Sequence, residues 1–311
     1  MQTVSIIITC FNSQETIERA VKRALNQDWI NKEIIIVDDC STDSSLKILE
    51  KLASKEANIF LSKHKKNKGY PAALNTAINK SKGEFIAIFD DDDDNSKDRI
   101  SRQVQRITEY EDKKNINLIL CYSNRKIYKN NSKKYDHIAF AIGRKSPEPN
   151  GIEVADYLFG LPVNKSKVWG MFGSCTLMAR KSVFLKIGKF DESFRRTAEW
   201  DFAIRAAFKD AHFISVNRAL IKMHKTSGAD KAGLIPLMYS LKLRDKYKNY
   251  LEHKKFYNAS KLIARSNFHF NKKNNLIGFL FRFLAMINSP IVFFEFFKIR
   301  YRNLRNLFFK V

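Results

Sequence analysis

The chain has 311 residues, 44% hydrophobic and 13% aromatic, enough to bury a full core and too apolar for a disordered chain. A formal charge of +24 calls for an anionic partner, leaving nucleic acid, a membrane surface and a phosphorylated substrate in play. The four cysteines, Cys10, Cys40, Cys121 and Cys175, form no C-x-x-C pair and Met1 runs directly into a strand pattern, so the expected setting is reducing and cytoplasmic.

Val4 to Thr9 reads as a buried strand. Asn12-Ser-Gln-Glu15 then has the form of a capping box, opening a helix with apolar Ile17, Ala20, Val21, Ala24 and Leu25 at helical spacing. Glu33 to Val37 is a second strand, running into Asp38, Asp39 and the turn Ser41-Thr42-Asp43, before a helix lined by Leu46, Leu49, Leu52 and Ala53. Ile59 to Ser62 is a third. Pro71 suits the first turn of a helix carrying Ala73, Ala77 and Ile78 that stops near Gly83, and Glu84 to Phe89 is a fourth strand.

Apolar strands alternating with amphipathic helices predict a doubly wound α/β domain whose ligands lie beyond the carboxyl ends of the strands. Three of those ends are polar, at Thr9 to Asn12, at Asp38 and Asp39, and at Asp90 to Asp94, and they should converge on one crevice. The pattern weakens after Gly143 through Ser146-Pro-Glu-Pro-Asn-Gly151, and strand-like Ser174 to Met178 leads into a helix from about Lys181. From residue 236 onward there are 16 Lys and Arg against 3 Asp and Glu. Leu276 to Phe297 is apolar but broken by Arg282, Asn288, Ser289, Pro290 and Glu295, which disfavours a spanning helix. Phe268 to Val311 mixes apolar clusters with Arg282, Lys298, Arg300, Arg302, Arg305 and Lys310, which suits helices lying in the interface of an anionic membrane, or packing on the catalytic domain.

Asp90 to Asp94 are five consecutive carboxylates directly after the buried strand Phe85 to Phe89. Held together at a crevice they repel one another unless a cation joins them. Mg²⁺ or Mn²⁺, which prefers one or two carboxylates plus phosphate oxygens, suits a nucleotide diphosphate bridged through Asp90 and Asp92.

Five segments in order carry a resemblance: Ser5 to Asn12, Ile36 to Asp43, Phe85 to Asp93, Gly188 to Phe194 with Ala198 to Asp201, and Met223 to Ser227. Together they resemble family-2 glycosyltransferases of the GT-A fold, over roughly residues 3 to 228. The resemblance implies a catalytic domain over 1–230, with a Rossmann-like nucleotide-sugar half (1–125) and an acceptor half (126–230), followed by a basic helical appendage over 231–311. It implies an inverting transfer from a nucleotide sugar, UDP being the commonest, to a glycan or lipid-diphosphate-linked acceptor in surface-polysaccharide assembly. The enzyme would sit peripherally on the cytoplasmic face of the inner membrane.

By the same resemblance Thr9, Phe11, Asn12, Asp38 and Asp39 would hold the nucleoside, while Asn75, Asp90 and Asp91 would lie along the diphosphate and sugar; Lys68 could supply a positive charge there from another direction, or belong with Lys65 and Lys66 to a solvated basic loop. Asp90, Asp92 and His224 would hold the metal, with Asp93 in support. Relatives read Glu-Asp-aromatic-Asp where this chain reads Ala198-Glu199-Trp200-Asp201, which puts Glu199 in the base position beside Asp201. Trp169, Ser174 and Trp200 would form the acceptor floor, with Met171 and Phe172. Many relatives carry Arg where this chain has Leu74. An inactive nucleotide-sugar binder remains open on these departures. A nucleic-acid-binding protein is disfavoured by the acidic crevice and by the lack of a helix-turn-helix or zinc signature.

Overall fold

Strand β1 (Val4–Cys10), a run of small and β-branched residues, is buried along its whole length and sits near the middle of a nine-stranded sheet. This computed structural model describes residues 2–129, 134–224 and 233–293, and the chain divides into two units, Met1–Ile152 with Lys165–Thr226, and Glu153–Asn164 with Ser227–Val311.

In the first unit β1 pairs in parallel with β2 (Lys32–Asp38) and β4 (Phe85–Phe89), and β2 with β3 (Ile59–Lys63). The register sets Cys10 opposite Asp38 and Ile8 opposite Phe89, so β1, β2 and β4 end nearly in step. Ile6, Ile34 and Ala87 share one face; Ile7, Ile35 and Ile88 share the other; all are buried, so the sheet is covered on both sides. On the first face the core takes in Ile17, Val21 and Ala24 of α1 (Ile17–Leu25), Leu49 of α2 (Ser45–Ala53) and Ile100, Val104 and Ile107 of α4 (Arg99–Lys114).

Beyond β4 the sheet becomes mixed. β8 (Met178–Arg180) runs antiparallel to β4 and to β6 (Ile119–Tyr128), while β6 lies parallel to β9 (His212–His224). Two-residue β5 (Asp94–Asn95) and β7 (Tyr135–Ala139) close it, antiparallel to β9 and β6 respectively. β9 is far longer than the Ala219 to Met223 segment suggests, because β6 supports it from Ile119 to Tyr128.

The capping box does not form. Asn12 has φ 53, α1 starts only at Ile17, and Thr16 caps it without a side-chain hydrogen bond. The Asn12 Oδ1 accepts instead from the Thr42 N–H at 2.8 Å, and the Gln14 Oε1 from the Ser44 N–H at 3.0 Å. These side chains find partners on the neighbouring loop before their own helix can use them, so the ends of β1 and β2 are stitched together.

The second unit is helical: most of α5 (Ile152–Phe159), then α8 (Ile235–Lys246), α9 (Lys248–His253), α10 (Tyr257–Asn271) and α11 (Asn275–Asn288). Asp156 of α5 accepts from the Tyr250 hydroxyl and pairs with Lys254, while the Phe159 ring packs against Tyr247 and Tyr250. Buried Arg244 ties α8 to α10 through the Ser260 carbonyl at 2.9 Å. No described helix is long and apolar enough to cross a membrane.

Candidate active site

The three polar strand ends do meet. The Ser13 hydroxyl just after β1 donates to Asp91 just after β4, and the Asn12 N–H donates to the Ser41 Oγ after β2 at 3.1 Å. The Cys10 thiol lies among them, its pKa pushed up to about 12 by burial and by the charges of Asp91 and Asp38.

Asp38 and Asp39 part company here. Asp39 is 3% exposed and fully engaged: it accepts from the Lys68 N–H at 2.9 Å and the Gly69 N–H at 2.7 Å, and His64 Nδ1 lies 2.6 Å away. Asp38, also buried, accepts from the Ser41 N–H with one oxygen, while its Oδ1 has no hydrogen-bond partner. Asp39 thereby shapes the turn into α3 (Tyr70–Lys80), where Gly69 takes φ +91, a conformation that favours glycine. That turn delivers Tyr70, whose hydroxyl lies 3.2 Å from Asp90 Oδ1 and 2.9 Å from Ser174 Oγ.

The aspartates are not equivalent. Burial and then the charges of Asp93, Asp92 and Asp91 hold the Asp90 carboxyl well above the usual carboxylate range, and burial pushes Asp91 up to about 6. Asp93 is fully buried with both oxygens lacking a hydrogen-bond partner; its carboxyl too is raised, by burial and by Asp92. Asp94 turns aside to Arg19 at 3.2 Å and Arg23 at 3.5 Å. The Asp92 carbonyl accepts from Arg19 at 3.0 Å.

Beneath the run lie two cations. Arg99, wholly buried, bonds Asn95, Gln103 and the Ile88 carbonyl and stacks on Phe89 at 4.3 Å, braced from several sides. Arg125 of β6 donates to the Cys175 Sγ at 3.3 Å and feels the charges of Asp93 and Asp90. Asp90, Asp93 and Cys175 present ligand atoms within 4.8 Å of one another, and orphaned carboxylate oxygens beside a crowded carboxylate are an arrangement that a divalent cation would relieve.

On the other side stands Glu199 of α7 (Ala198–Ala207). It is half-buried, and burial raises its carboxyl above the usual glutamate range against the opposing charges of Arg196 and Arg125. Its charge acts on the Tyr70 and Tyr122 hydroxyls. Tyr122 in turn meets the ring of buried Phe172 edge-on at 5.8 Å.

The remaining sequence candidates fall in varied places. Thr9 is buried within β1, Phe11 is 45% exposed, and Trp169 and Trp200 are half-buried. Met171, at 44%, is exposed. Asn75 engages both ends of its amide with Phe190 and Glu192 and so joins α3 to the Gly188 to Phe194 segment. Asp201 is wholly buried and pairs with Arg205 at 2.9 Å, whose other nitrogens bind the Ile187 and Lys189 carbonyls. Lys68 is exposed, with only its backbone engaged by Asp39 among the described contacts. His224 ends β9, stacked on Tyr128 at 5.1 Å.

Four participants escape the sequence reading: His64, Tyr70, Arg125 and Arg195. Leu74 is wholly buried, so no cation reaches the site from that position. Arg195, exposed, instead lies against the Gly69 turn, its Cγ 3.8 Å from where a Gly69 side chain would begin. The available signal was the pair of cations Arg125 and Lys126 inside an otherwise buried strand, since a cation in a covered strand calls for an anion.

A mixed α/β sheet with acidic groups gathered at the carboxyl ends of its parallel strands defines a nucleotide-dependent class of fold. The chain belongs to a particular family within it: the model for "Glycosyl transferase family 2" matches residues 5–184. Among curated relatives, the Escherichia coli UDP-Glc:alpha-D-GlcNAc-diphosphoundecaprenol beta-1,3-glucosyltransferase WfaP is 41% identical over 104 residues, covering 33% of this chain and 41% of that protein. The Borreliella burgdorferi cholesterol galactosyltransferase is 42% identical over 90 residues, 29% of this chain and 25% of its own. These matches thus span well under half of those relatives. The Erwinia amylovora amylovoran biosynthesis glycosyltransferase AmsB is 26% identical over 260 residues, 81% and 80% of the two chains.

The fold is GT-A, as in the Staphylococcus aureus TarS 1–349 complex with UDP-GlcNAc (TM-score 0.58, 20% identity, 86% of this chain and 73% of that one). It is also that of the Pyrobaculum calidifontis mannosyltransferase PcManGT in complex with GDP-Man and Mn²⁺ (TM-score 0.58, 15% identity, 96% and 79%).

Proposed function

We propose that this chain is an inverting, divalent-metal-dependent glycosyltransferase that moves a hexose or N-acetylhexosamine from a UDP-sugar to a hydroxyl of a glycan or lipid-diphosphate-linked acceptor in bacterial surface-polysaccharide synthesis. It would act peripherally at the cytoplasmic face of the membrane. The observation that supports the reading is the Tyr70 hydroxyl, 3.2 Å from Asp90 and 2.9 Å from Ser174 and within reach of the Glu199 charge, beside strand ends at which Asp38 and the aspartate run emerge nearly in step.

Asp38, with one oxygen lacking a partner, is the acceptor for a nucleobase N–H or ribose hydroxyl; such a ligand removes the roughly 1–3 kcal/mol cost of an unpaired buried group. Asp39 acts one step back, holding the Lys68–Gly69 backbone in place. Asp90 and Asp92, with His224, would hold Mg²⁺ or Mn²⁺, and the metal when bound supplies positive charge to the departing diphosphate. Arg195 beside Gly69 supplies the cation that Leu74 lacks. Glu199 takes the proton from the acceptor hydroxyl, its raised pKa bringing it nearer to the ideal for a base at neutral pH. Trp169, Trp200 and Ser174 offer the faces and hydroxyl against which an acceptor sugar rests.

The test is a panel of nucleotide sugars with Mg²⁺ or Mn²⁺, scored for nucleotide release with and without a lipid-linked acceptor. Donor-dependent release that Asp92→Asn abolishes supports the reading. Absence of binding and release for every donor sinks it.

A further inference from the structure

Helix α11 of the second unit carries an apolar face that the described residues of that unit leave largely open, with Phe279 meeting the Phe270 ring edge-on at 5.0 Å. Leu276 is 88% exposed, Phe279 63%, Leu280 55%, Phe283 55% and Ile287 65%. Their spacing of three or four residues puts them on one stripe. The opposite side is taken by α10: Gly278 and Ala285 are buried, the Ser266 hydroxyl donates to the Gly278 carbonyl at 2.8 Å, and His269 stacks on Phe281 at 5.5 Å. A side chain at Gly278 would strike the Phe270 ring, so the helix is held with its stripe outward.

We propose that this stripe docks in the plane of an anionic lipid bilayer. Its 14 residues make a helix of about 21 Å, too short for the roughly 30 Å hydrocarbon core, so it would lie in the interface. Cations rim it. Lys272 and Lys273 are exposed in the turn before Leu276, and Arg282 is held at the side by the Asn267 Oδ1 at 2.6 Å. α11 contains no acidic residue.

Charge decides the occupant. A second copy of the chain would bring the same basic excess of 16 against 3 from residue 236 onward and be repelled, whereas an anionic leaflet attracts it. The inference deepens the reading above by naming the surface at which a lipid-linked acceptor would be met. Its test reads lipid binding alone, so either can fail without the other.

Full-length protein is sedimented with phosphatidylcholine vesicles, with or without about a third phosphatidylglycerol, a charge range over which basic interfacial helices respond strongly. Binding is expected to the anionic vesicles and to fall with salt. Phe279→Ser with Phe283→Ser should weaken it on the order of tenfold or more, while nucleotide-sugar turnover in solution is unchanged. Phe283→Trp, which keeps an aromatic ring at the site, should emit as an exposed indole in buffer and shift to the blue on adding anionic vesicles. A blue, shielded indole without lipid would mean that protein covers the stripe, and would overturn the proposal. So would undiminished vesicle binding by the double serine variant.

Discussion

His64 Nδ1 lies 2.6 Å from Asp39 Oδ1, and the same carboxylate accepts the Lys68 and Gly69 N–H groups. His64 Nε2 is in turn 2.9 Å from the Thr76 Oγ1 in α3. One buried pair therefore holds the turn that presents Tyr70 to Asp90. His64→Ala should lower unfolding free energy by about 1–3 kcal/mol, the cost of orphaning a buried acceptor, and raise the donor KM by a larger factor than it lowers kcat. Chemical denaturation and steady-state kinetics on one preparation check both halves.

Arg125 and Arg99 both act on the charge of Asp93, and Arg99 is braced by Asn95, Gln103 and a carbonyl. Arg125→Met should destabilise the fold by about 3–5 kcal/mol, because the buried Asp93 and Asp90 carboxylates lose a compensating positive charge within a poorly solvated site. Added Mn²⁺ should raise the melting temperature of this variant more than that of the parent. An equal shift in both would count against the metal reading.

Glu199 must be ionised to act as base, so kcat should fall with decreasing pH through an inflection set above the ordinary glutamate value by burial. Stability runs the other way. A carboxyl whose folded pKa exceeds its unfolded value adds stability that is complete below the unfolded pKa and lost as pH rises through the folded one. Glu199→Gln should reduce kcat by roughly 10²–10⁴-fold, remove that pH slope in stability, and leave donor KM almost unaltered. Retained transfer would exclude Glu199 as the base.

Arg195→Ala should raise the donor KM by roughly tenfold, the scale of one charge-assisted contact, with Arg195→Lys intermediate. Isothermal titration of UDP against both variants measures this directly. UDP affinity equal to that of the parent would remove Arg195 from the site.

The sequence by itself determined the elements with strong periodicity and the polar residues at their ends. Runs such as Ser5 to Ile8 and Ile34 to Val37 can be satisfied only as covered strands, and a parallel sheet brings its carboxyl ends together. The convergence of the polar strand ends was legible for that reason.

Only the tertiary structure decided which polar side chains remain available to a ligand. Asp38 and Asp39 are neighbours of one chemical type, yet the loop before α3 saturates Asp39 and leaves an Asp38 oxygen unmatched. Asn12, Asn75 and Asp201 likewise find partners 30, 115 and 4 residues away along the chain. Arg125 and His64 enter through contacts that no local pattern encodes. The physical reason is that hydrogen-bond satisfaction is settled by whatever the fold brings within about 3 Å, and long-range packing alone sets those distances.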